Sequence, residues 1–282
     1  MRYNALFSAQ LTLLALLLPV SSAADPPVIA GEYGLSYAGL RNSTSGQDYF
    51  LGIPFAQPPI GPLRFKPPVP WSRGSTKVVN ATQYGYSCVQ SAQFTNSSVS
   101  EDCLTLNIWK PTKVEKKLPV MVWIHGGAFY IGEAKKYPGN YLVERACNIG
   151  KPIIYVTMNY RLGIFGFPPG QAAEDAGASN IGLKYQRLAL EWVQKNIAHF
   201  GGDPTKTLYK GGHIGGAFRG MILESGSPFI LNVLKPNDPV KEEAFALLAN
   251  TTGCNAKASD AFECVRKAPG DVLKQVNNDL LK

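Results

Sequence analysis

The sequence predicts an α/β domain with a mostly parallel central sheet and helices packed on both faces. Two segments, Leu118–Ile124 and Pro152–Met158, are almost wholly apolar and rich in valine and isoleucine. Such runs are typical of strands that are buried on both faces. A third segment, Ile181–Phe200, has apolar residues at three- and four-residue steps, which predicts an amphipathic helix. Together they favour a sheet that is covered by helices.

Several further elements follow from local patterns. Short strands are expected at Val28–Leu35, Tyr49–Ile53, Leu104–Trp109 and Gly220–Glu224. The prolines of Pro54–Pro70 are too dense for a helix or a central strand, so this segment is expected to be an extended surface connection. Ser179 or Asn180 is expected to cap the long helix, and Gly201-Gly202 to end it. From Pro239 to the last residue the pattern is helical.

Residues 1–24 have the pattern of a secretory signal peptide. Met1 and Arg2 give a positive start, Leu13–Val20 is apolar, and Ser22-Ala23-Ala24 offers the small residues that a signal peptidase accepts. The apolar run is far short of the roughly 20 residues needed to span a bilayer. We therefore expect a secreted, extracellular protein with one domain at 25–282 and no membrane span.

Charge and composition narrow the choice of partners. The chain has 282 residues and a formal net charge of +8, but its lysines and arginines are spread in small groups. A nucleic-acid-binding surface would more often be a basic stripe interleaved with aromatics. No nucleic-acid partner is expected, and neither a cofactor nor a metal site is predicted. The sequence leaves the oligomeric state open.

Export also determines how the five cysteines are interpreted. In an oxidising compartment they are expected to form disulfides. Cys88 lies close to Cys103 and Cys254 close to Cys264, so local pairing would close two small loops, each bridge contributing roughly 3 kcal/mol. Cys147 is left over and is expected to be a buried, unreactive thiol. Four N-x-S/T triplets are candidate glycosylation sites: Asn42, Asn80, Asn96 and Asn250.

The clearest chemical motif follows the first buried strand. Pro119–Phe129 runs from that strand into His125-Gly126-Gly127-Ala128. Glycines allow successive backbone N–H groups to point into one space, and two or three such donors can hold the oxyanion of an acyl-transfer intermediate. A plain glycine turn at a strand end would use the same residues, so the motif alone does not decide between the two.

Five segments in order carry a family resemblance. They read Y-F-L-G-I-P-F-A-Q-P-P-I-G-P-L-R-F at 49–65, S-E-D-C-L-T-L-N-I-W at 100–109, N-Y-R-L-G-I-F-G-F at 159–167, N-I-G-L-K-Y-Q-R-L-A-L-E-W-V-Q-K-N-I-A-H-F-G-G-D-P at 180–204, and F-R-G-M-I-L-E-S-G-S-P at 218–228. With them, nearly the whole mature chain resembles the type-B carboxylesterase/lipase family, which includes cholinesterases and fungal extracellular lipases.

The resemblance implies an α/β-hydrolase fold and a Ser-His-Glu/Asp triad that cleaves small-molecule carboxylic esters. It implies that Gly126, Gly127 and Ala128 line the oxyanion hole. It also implies the disulfides Cys88–Cys103 and Cys254–Cys264, and an ion pair between Arg64 and Glu101. The short loop between Cys88 and Cys103 suits an open esterase site better than a lipase lid.

The chain departs from the family at the nucleophile. No G-x-S-x-G, the elbow that presents the serine, occurs anywhere in the sequence. In one alignment, about twenty residues that carry the elbow and its strand are missing at Thr207–Leu208; this is the one we favour. In the other, Gly212–Gly216 is a decayed elbow with Ile214 in place of serine. Tyr185 also stands where the family has aspartate.

The remaining candidate side chains are assigned other roles. His125 belongs to the oxyanion turn, His199 lies at a helix end that favours a cation, and His213 is expected at the surface. Ser225 and Ser227 lack an elbow and a base. The catalytic triad is therefore expected to be absent, because the family's acid and histidine lie beyond Lys282.

The resulting hypothesis is a secreted, glycosylated ester-hydrolase relative that contains the N-terminal part of the fold. It is expected to lack one central strand, leaving a gap in the sheet, and to be inactive. Two alternatives stay open. The chain is a mis-spliced or mispredicted version of an active esterase, or it is a non-catalytic adhesion or binding member of the family.

Overall fold

A computed structural model describes residues 25–208, 218–226 and 234–280. Three expectations lie outside these residues: the signal peptide at 1–24, the glycine-rich segment with His213 and Ile214, and Ser227. In the described ranges the chain forms the strands β1 (Val28–Ala30), β2 (Ser36–Ala38), β3 (Leu40–Asn42), β4 (Gln47–Pro54), β5 (Val78–Asn80), β6 (Ser87–Cys88), β7 (Val99–Ser100), β8 (Thr105–Pro111), β9 (Leu118–Ile124), β10 (Ile154–Met158) and β11 (Gly202–Leu208).

The helices lie between and after these strands. They are α1 (Asn140–Asn148), α2 (Gly163–Gly166), α3 (Gln171–Asp175), α4 (Ile181–Asn196), α5 (Pro239–Thr251), α6 (Ala261–Lys267) and α7 (Gly270–Asp279). Short 3-10 turns occur at Glu32–Gly34, Gly61–Leu63, Ala92–Phe94 and Ala134–Lys136. None of the described helices is both long enough and apolar enough to cross a bilayer.

The central sheet has six strands in the order β11-β9-β10-β8-β4-β3. Neighbours from β3 to β10 pair antiparallel, whereas β10, β9 and β11 run parallel. The described sheet is therefore mixed, and the expected parallel arrangement is limited to its last three strands. The long connections that carry α1 and α4 cross between these parallel strands.

The expected gap in this sheet is not present in the described part of the chain. Residues that follow G-G-D-P continue as β11, with Gly202 opposite Leu118 and Thr207 opposite Val120 on β9. The register shifts between these two pairs. An unpaired buried strand would leave its backbone N–H and C=O groups without partners, so the segment that follows α4 pairs with β9 instead.

Both faces of the sheet are covered. On β10, Ile154, Val156 and Met158 belong to the main core, which α4 completes with residues such as Tyr185 and Val193. Tyr155 points to the opposite face. There it packs with Trp109 and with Val143 of α1. The wholly apolar strands are thus explained by burial on two sides.

Four local expectations are wrong. The strand expected at Val28–Leu35 ends at Ala30, because a 3-10 turn follows. Gly220–Glu224 is not a strand; Met221, Ile222 and Leu223 are irregular and 44–53% exposed. Asn180 takes a left-handed conformation (φ 54°) without a side-chain cap at the start of α4. Cys147 is exposed, because α1 buries Val143 and Ala146 and turns the next residue to solvent.

Candidate active site

The turn after β9 has an unusual backbone. Gly127, Ala128 and Phe129 have φ values of +116°, +53° and +68° in succession. A Cβ atom on Gly127 would lie 2.0 Å from the carbonyl oxygen of Ile131, so only glycine fits there. The Gly127 carbonyl accepts hydrogen bonds from the N–H groups of Tyr130 (2.9 Å) and Ile131 (3.1 Å). These contacts fix the turn.

The same turn leaves backbone donors available. Among the described residues, the N–H groups of Gly126, Gly127 and Ala128 donate no hydrogen bond. Gly126 and Ala128 are exposed, and the space beside the Gly126 α-carbon is open. Clustered, unpaired N–H groups at the end of a buried strand can hold a developing oxyanion. These three N–H groups are therefore available to donate to a ligand.

His125 is buried next to the turn and contacts it through a hydrogen bond. Its side chain is 2% exposed and stacks on the ring of Tyr160 with centroids 4.5 Å apart. Nδ1 donates to the Gly126 carbonyl at 2.9 Å, and the Tyr160 hydroxyl donates to the His125 carbonyl at 2.9 Å. Burial lowers the pKa of His125 to about 4, so the imidazole is neutral near pH 7. His125 is a positioning residue.

Sequence reasoning missed a buried carboxylate that joins this turn to the Cys88–Cys103 loop. Glu133 is 1% exposed and accepts hydrogen bonds from the hydroxyls of Ser87, Thr95 (3.0 Å) and Ser97 (2.5 Å). We call these four residues the Glu133 cluster. The ammonium of Lys136 lies 3.3 Å from Glu133. In the sequence, the only hint of this carboxylate is the group of serines and threonines at 95–100, whose hydroxyls need hydrogen-bond acceptors.

The pKa of Glu133 reflects this environment. Burial by itself raises the pKa of a carboxyl group, but the hydrogen bonds from Ser87, Ser97 and Thr95 outweigh it. With the contribution of Lys136, the pKa falls to about 2. The carboxylate is therefore ionised throughout the ordinary pH range.

Two amide side chains add to the same connection. Gln90 donates from Nε2 to the Gly132 carbonyl (2.8 Å) and accepts from the Gly132 N–H at Oε1 (3.0 Å). Asn159, the first residue of N-Y-R, donates to the Tyr86 carbonyl (3.0 Å) and accepts from the Ala134 N–H (2.8 Å). The loop and the residues just before it are thus held to the segment that follows the glycine turn and to the end of β10.

The ion pair implied by the resemblance is present and has a second arginine. Arg64 contacts Glu101 through Nη2 (2.7 Å) and Nε (2.9 Å). Arg161, 1% exposed, contacts the same carboxylate through Nη2 at 2.5 Å and lies over the Phe165 ring. Arg64 Nη1 also donates to the carbonyls of Arg266 (3.0 Å) and Ala268 (2.7 Å). These contacts join the Pro-rich connection at Pro54–Pro70 to α6.

Tyr185 lies in the interior beside this cluster. Its hydroxyl donates to the Lys66 carbonyl at 3.3 Å, and burial raises its pKa. Nη1 of Arg161 has no hydrogen-bond partner among the described residues. The charge of Arg161 beside the phenol opposes part of this rise in the pKa of Tyr185.

The other expected residues lie apart from the turn. The structure contains the disulfides Cys88–Cys103 and Cys254–Cys264. Ser225 is exposed in an irregular segment, and His199 is exposed beyond the end of α4. The candidate glycosylation sites are all exposed: Asn42, Asn80, Asn96 and Asn250. In the described ranges, no three His, Cys, Asp or Glu side chains are grouped to hold a metal ion.

The glycine turn, the mixed sheet and the flanking helices define an α/β-hydrolase. The sequence model of the Carboxylesterase family matches residues 35–282, so the chain belongs to this family. It is 38% identical to Lipase 5 of Diutina rugosa over 94% of this chain and 55% of that protein. It is 33% identical to Secreted lipase 1 of Botryotinia fuckeliana over 92% and 52%.

A solved structure agrees. The crystal structure of Aspergillus niger EstA matches with a TM-score of 0.78 and 32% identity, covering 91% of this chain and 51% of that one. The chain spans about half the length of the relatives that it matches.

Proposed function

We propose that the 282-residue chain is a secreted, glycosylated member of the carboxylesterase family that does not by itself hydrolyse carboxylic esters. The observation that carries this proposal is the lack of any G-x-S-x-G in the sequence. The unpaired N–H groups of Gly126, Gly127 and Ala128 support an oxyanion role for this turn, but the sequence has no elbow that would present a serine to them.

The chemistry explains why the donors are insufficient. Acyl transfer needs a nucleophile with a general base within about 2.6–3.2 Å, oriented by a third group. The histidine nearest the turn in sequence, His125, is buried, and its Nδ1 is engaged by the Gly126 carbonyl. Because its pKa is about 4, it is also a weak base at neutral pH. The donors would stabilise an intermediate that no group in the described site forms.

Export is supported by three features. The first 24 residues have the pattern of a signal peptide, two disulfides link residues that are close in sequence, and one relative is named as a secreted lipase. A small carboxylic ester remains the ligand class that the oxyanion turn fits. The Cys88–Cys103 loop is fixed to the turn by Glu133 and Gln90, which favours an open site over a lid that moves.

A second candidate is favoured by length. The chain covers about half of each relative, so an active esterase could contain this half together with the elbow and the residues that supply acid and base. Insertion of a family-like strand and elbow at Thr207–Leu208 is expected to leave the chain inactive. Addition of both that segment and a family-like C-terminal half is expected to restore activity.

The test is hydrolysis of p-nitrophenyl acetate and butyrate by the purified secreted chain. The expected rate equals that of the buffer blank and that of a Ser225→Ala variant prepared in the same host. Turnover above the blank that is abolished by Ser225→Ala would contradict the proposal and identify that serine as a nucleophile. Turnover that survives in the variant but exceeds a mock purification would contradict it as well.

A further inference from the structure

A cavity of about 480 Å³ lies beside the Glu133 cluster. The rings of Tyr84 and Phe94, 37% and 39% exposed, form part of its wall, together with the polar side chains of Gln93, Asn96 and Lys135. Its volume is within the range of about 300–1,000 Å³ that is typical of small-molecule sites. Exposed aromatic faces beside amide and ammonium groups suit a ligand that is apolar on one face and polar at its edges, as a sugar is.

Asn96 in this wall is itself a possible attachment point. It begins the triplet Asn96-Ser97-Ser98, and its side chain makes no hydrogen bond among the described residues. Asn42 and Asn80 differ, because the carbonyl of Asn42 accepts from the N–H of Thr44 and that of Asn80 from the hydroxyl of Thr82. Only Asn96 combines a sequon with a place in the cavity wall.

The segment around Asn96 is also held in a defined position. Its neighbours Thr95 and Ser97 both donate to the buried carboxylate of Glu133. Lys136 donates to the Phe94 carbonyl at 2.9 Å. The attachment point and the aromatic ring two residues before it therefore keep a fixed relation to the cavity.

We propose that Asn96 carries an N-glycan whose first N-acetylglucosamine lies in this cavity, stacked on Phe94 and Tyr84. The inference rests on export, which is part of the proposed function. In the attachment step, Nδ2 of Asn96 bonds to the anomeric carbon of a polyisoprenyl-pyrophosphate-linked oligosaccharide supplied by the host. The anomeric C–O bond breaks, Nδ2 loses a proton, and the lipid pyrophosphate leaves.

The contacts on offer fit this sugar. The axial C–H groups of a pyranose meet the electron-rich faces of Phe94 and Tyr84, while its hydroxyl and acetamido groups lie near Gln93 and Lys135. Covalent attachment makes the sugar's binding intramolecular, so a weak contact is sufficient for occupancy. The cavity is then filled in the exported protein and is not the ester pocket.

The experiment uses the full chain, secreted from a glycosylating host and trimmed to one N-acetylglucosamine per site. Glycopeptide mass spectrometry is expected to show Asn96 occupied. Proton NMR is expected to show upfield ring-current shifts for the Asn96-linked sugar, relative to the sugar on exposed Asn42 in the same sample. The Ser98→Ala variant, which removes the sequon at an exposed residue, is expected to lower the Tm by roughly 2–4 °C.

The Phe94→Ala background is the matched control. There the Ser98→Ala change is expected to lower the Tm by clearly less, because one of the two rings that the sugar contacts is gone. Equal Tm losses in both backgrounds, unshifted sugar protons, or an empty Asn96 beside glycans at the other three sequons would overturn the inference and leave export intact. An intact Met1 end with no glycan at any site would overturn export and the inference together.

Discussion

Glu133 connects two parts of the chain that are far apart in sequence. Its carboxylate accepts from Ser87, just before the disulfide loop, and from Thr95 and Ser97 within it, and its own backbone follows the glycine turn. Hydrogen bonds to a buried carboxylate are stronger than those between neutral groups, so this single side chain contributes much of the loop's attachment.

The first prediction is that Glu133→Gln destabilises the protein in a pH-dependent way. The folded-state pKa, about 2, lies below the ordinary value of 4.5, so the stabilisation is complete above about pH 4.5 and is lost as the pH falls toward 2. The expected loss at pH 7 is about 2–3 kcal/mol. Urea unfolding of both proteins between pH 7 and pH 2.5 should show the difference shrinking.

A matched control is Glu144→Gln, which changes an exposed carboxylate on α1. It should alter the unfolding free energy by less than about 0.5 kcal/mol at any pH. If Glu133→Gln behaves like this control, or if its effect grows as the pH falls, the hydrogen-bonding role assigned to Glu133 is incorrect.

Arg161 and Tyr185 are buried neighbours. Arg161 keeps one contact to Glu101 and a position over the ring of Phe165, while its Nη1 has no partner among the described residues. Tyr185 fills the volume with an aromatic ring and directs its hydroxyl to Lys66. The sequence did not predict that these two side chains lie together in the interior.

At the scale of elements, Arg64 joins the Pro-rich connection at Pro54–Pro70 to the C-terminal helices. Its guanidinium binds Glu101 with two nitrogens and donates Nη1 to two carbonyls at the end of α6. Those carbonyls have no partner within the helix, so the arginine serves as a C-terminal cap. The geometry requires a planar group with several donors.

The second prediction follows from that geometry. Arg64→Lys keeps the charge but cannot bind Glu101 through two nitrogens and cap α6 at once, so it should cost about 2 kcal/mol. Hydrogen exchange should show loss of amide protection in Ala261–Lys267 before any loss in β9. The control Arg187→Lys alters an exposed i,i+4 pair with Glu191 and should change little. Equal effects of the two substitutions would contradict the capping role.

Elements with strong apolar patterns were predicted well. β9 was placed at Leu118–Ile124 as observed, and Pro152–Met158 contains β10, because a strand buried on two faces has few alternatives. The strand predicted at Gly220–Glu224 is not formed, because an apolar run becomes a strand only when a partner edge pairs with it. The predicted burial of Cys147 was wrong, because burial depends on which side of α1 meets the sheet. A helix of nine residues defines that side weakly.

The candidate site divides in the same way. The glycine pattern predicted the sharp turn at Gly126, Gly127 and Ala128, because glycine reports directly on backbone conformation; their oxyanion role stays a prediction from the resemblance. Glu133 and Gln90 were missed because their partners are 36–46 residues away and carry no fixed spacing. Side-chain networks between loops depend on the fold that brings the loops together.

At the scale of the whole molecule, the described chain forms a continuous six-stranded sheet with helices on both faces. The glycine turn lies at the carboxyl end of β9, where α/β folds place their ligands. The supporting contacts of this turn come from β10, the disulfide loop and the turn itself. The conformation of this turn therefore depends on contacts from three separate parts of the described chain.

The absence of an activated serine is tested most directly by labelling the purified 282-residue chain with a fluorophosphonate probe. The product is measured by intact-mass spectrometry. Such probes react only with a serine oxygen that a base has activated. No mass increase is expected, alongside full labelling of an intact family esterase treated in parallel. Stoichiometric labelling that maps to any serine would show that the chain has an activated nucleophile and would contradict the proposed lack of activity.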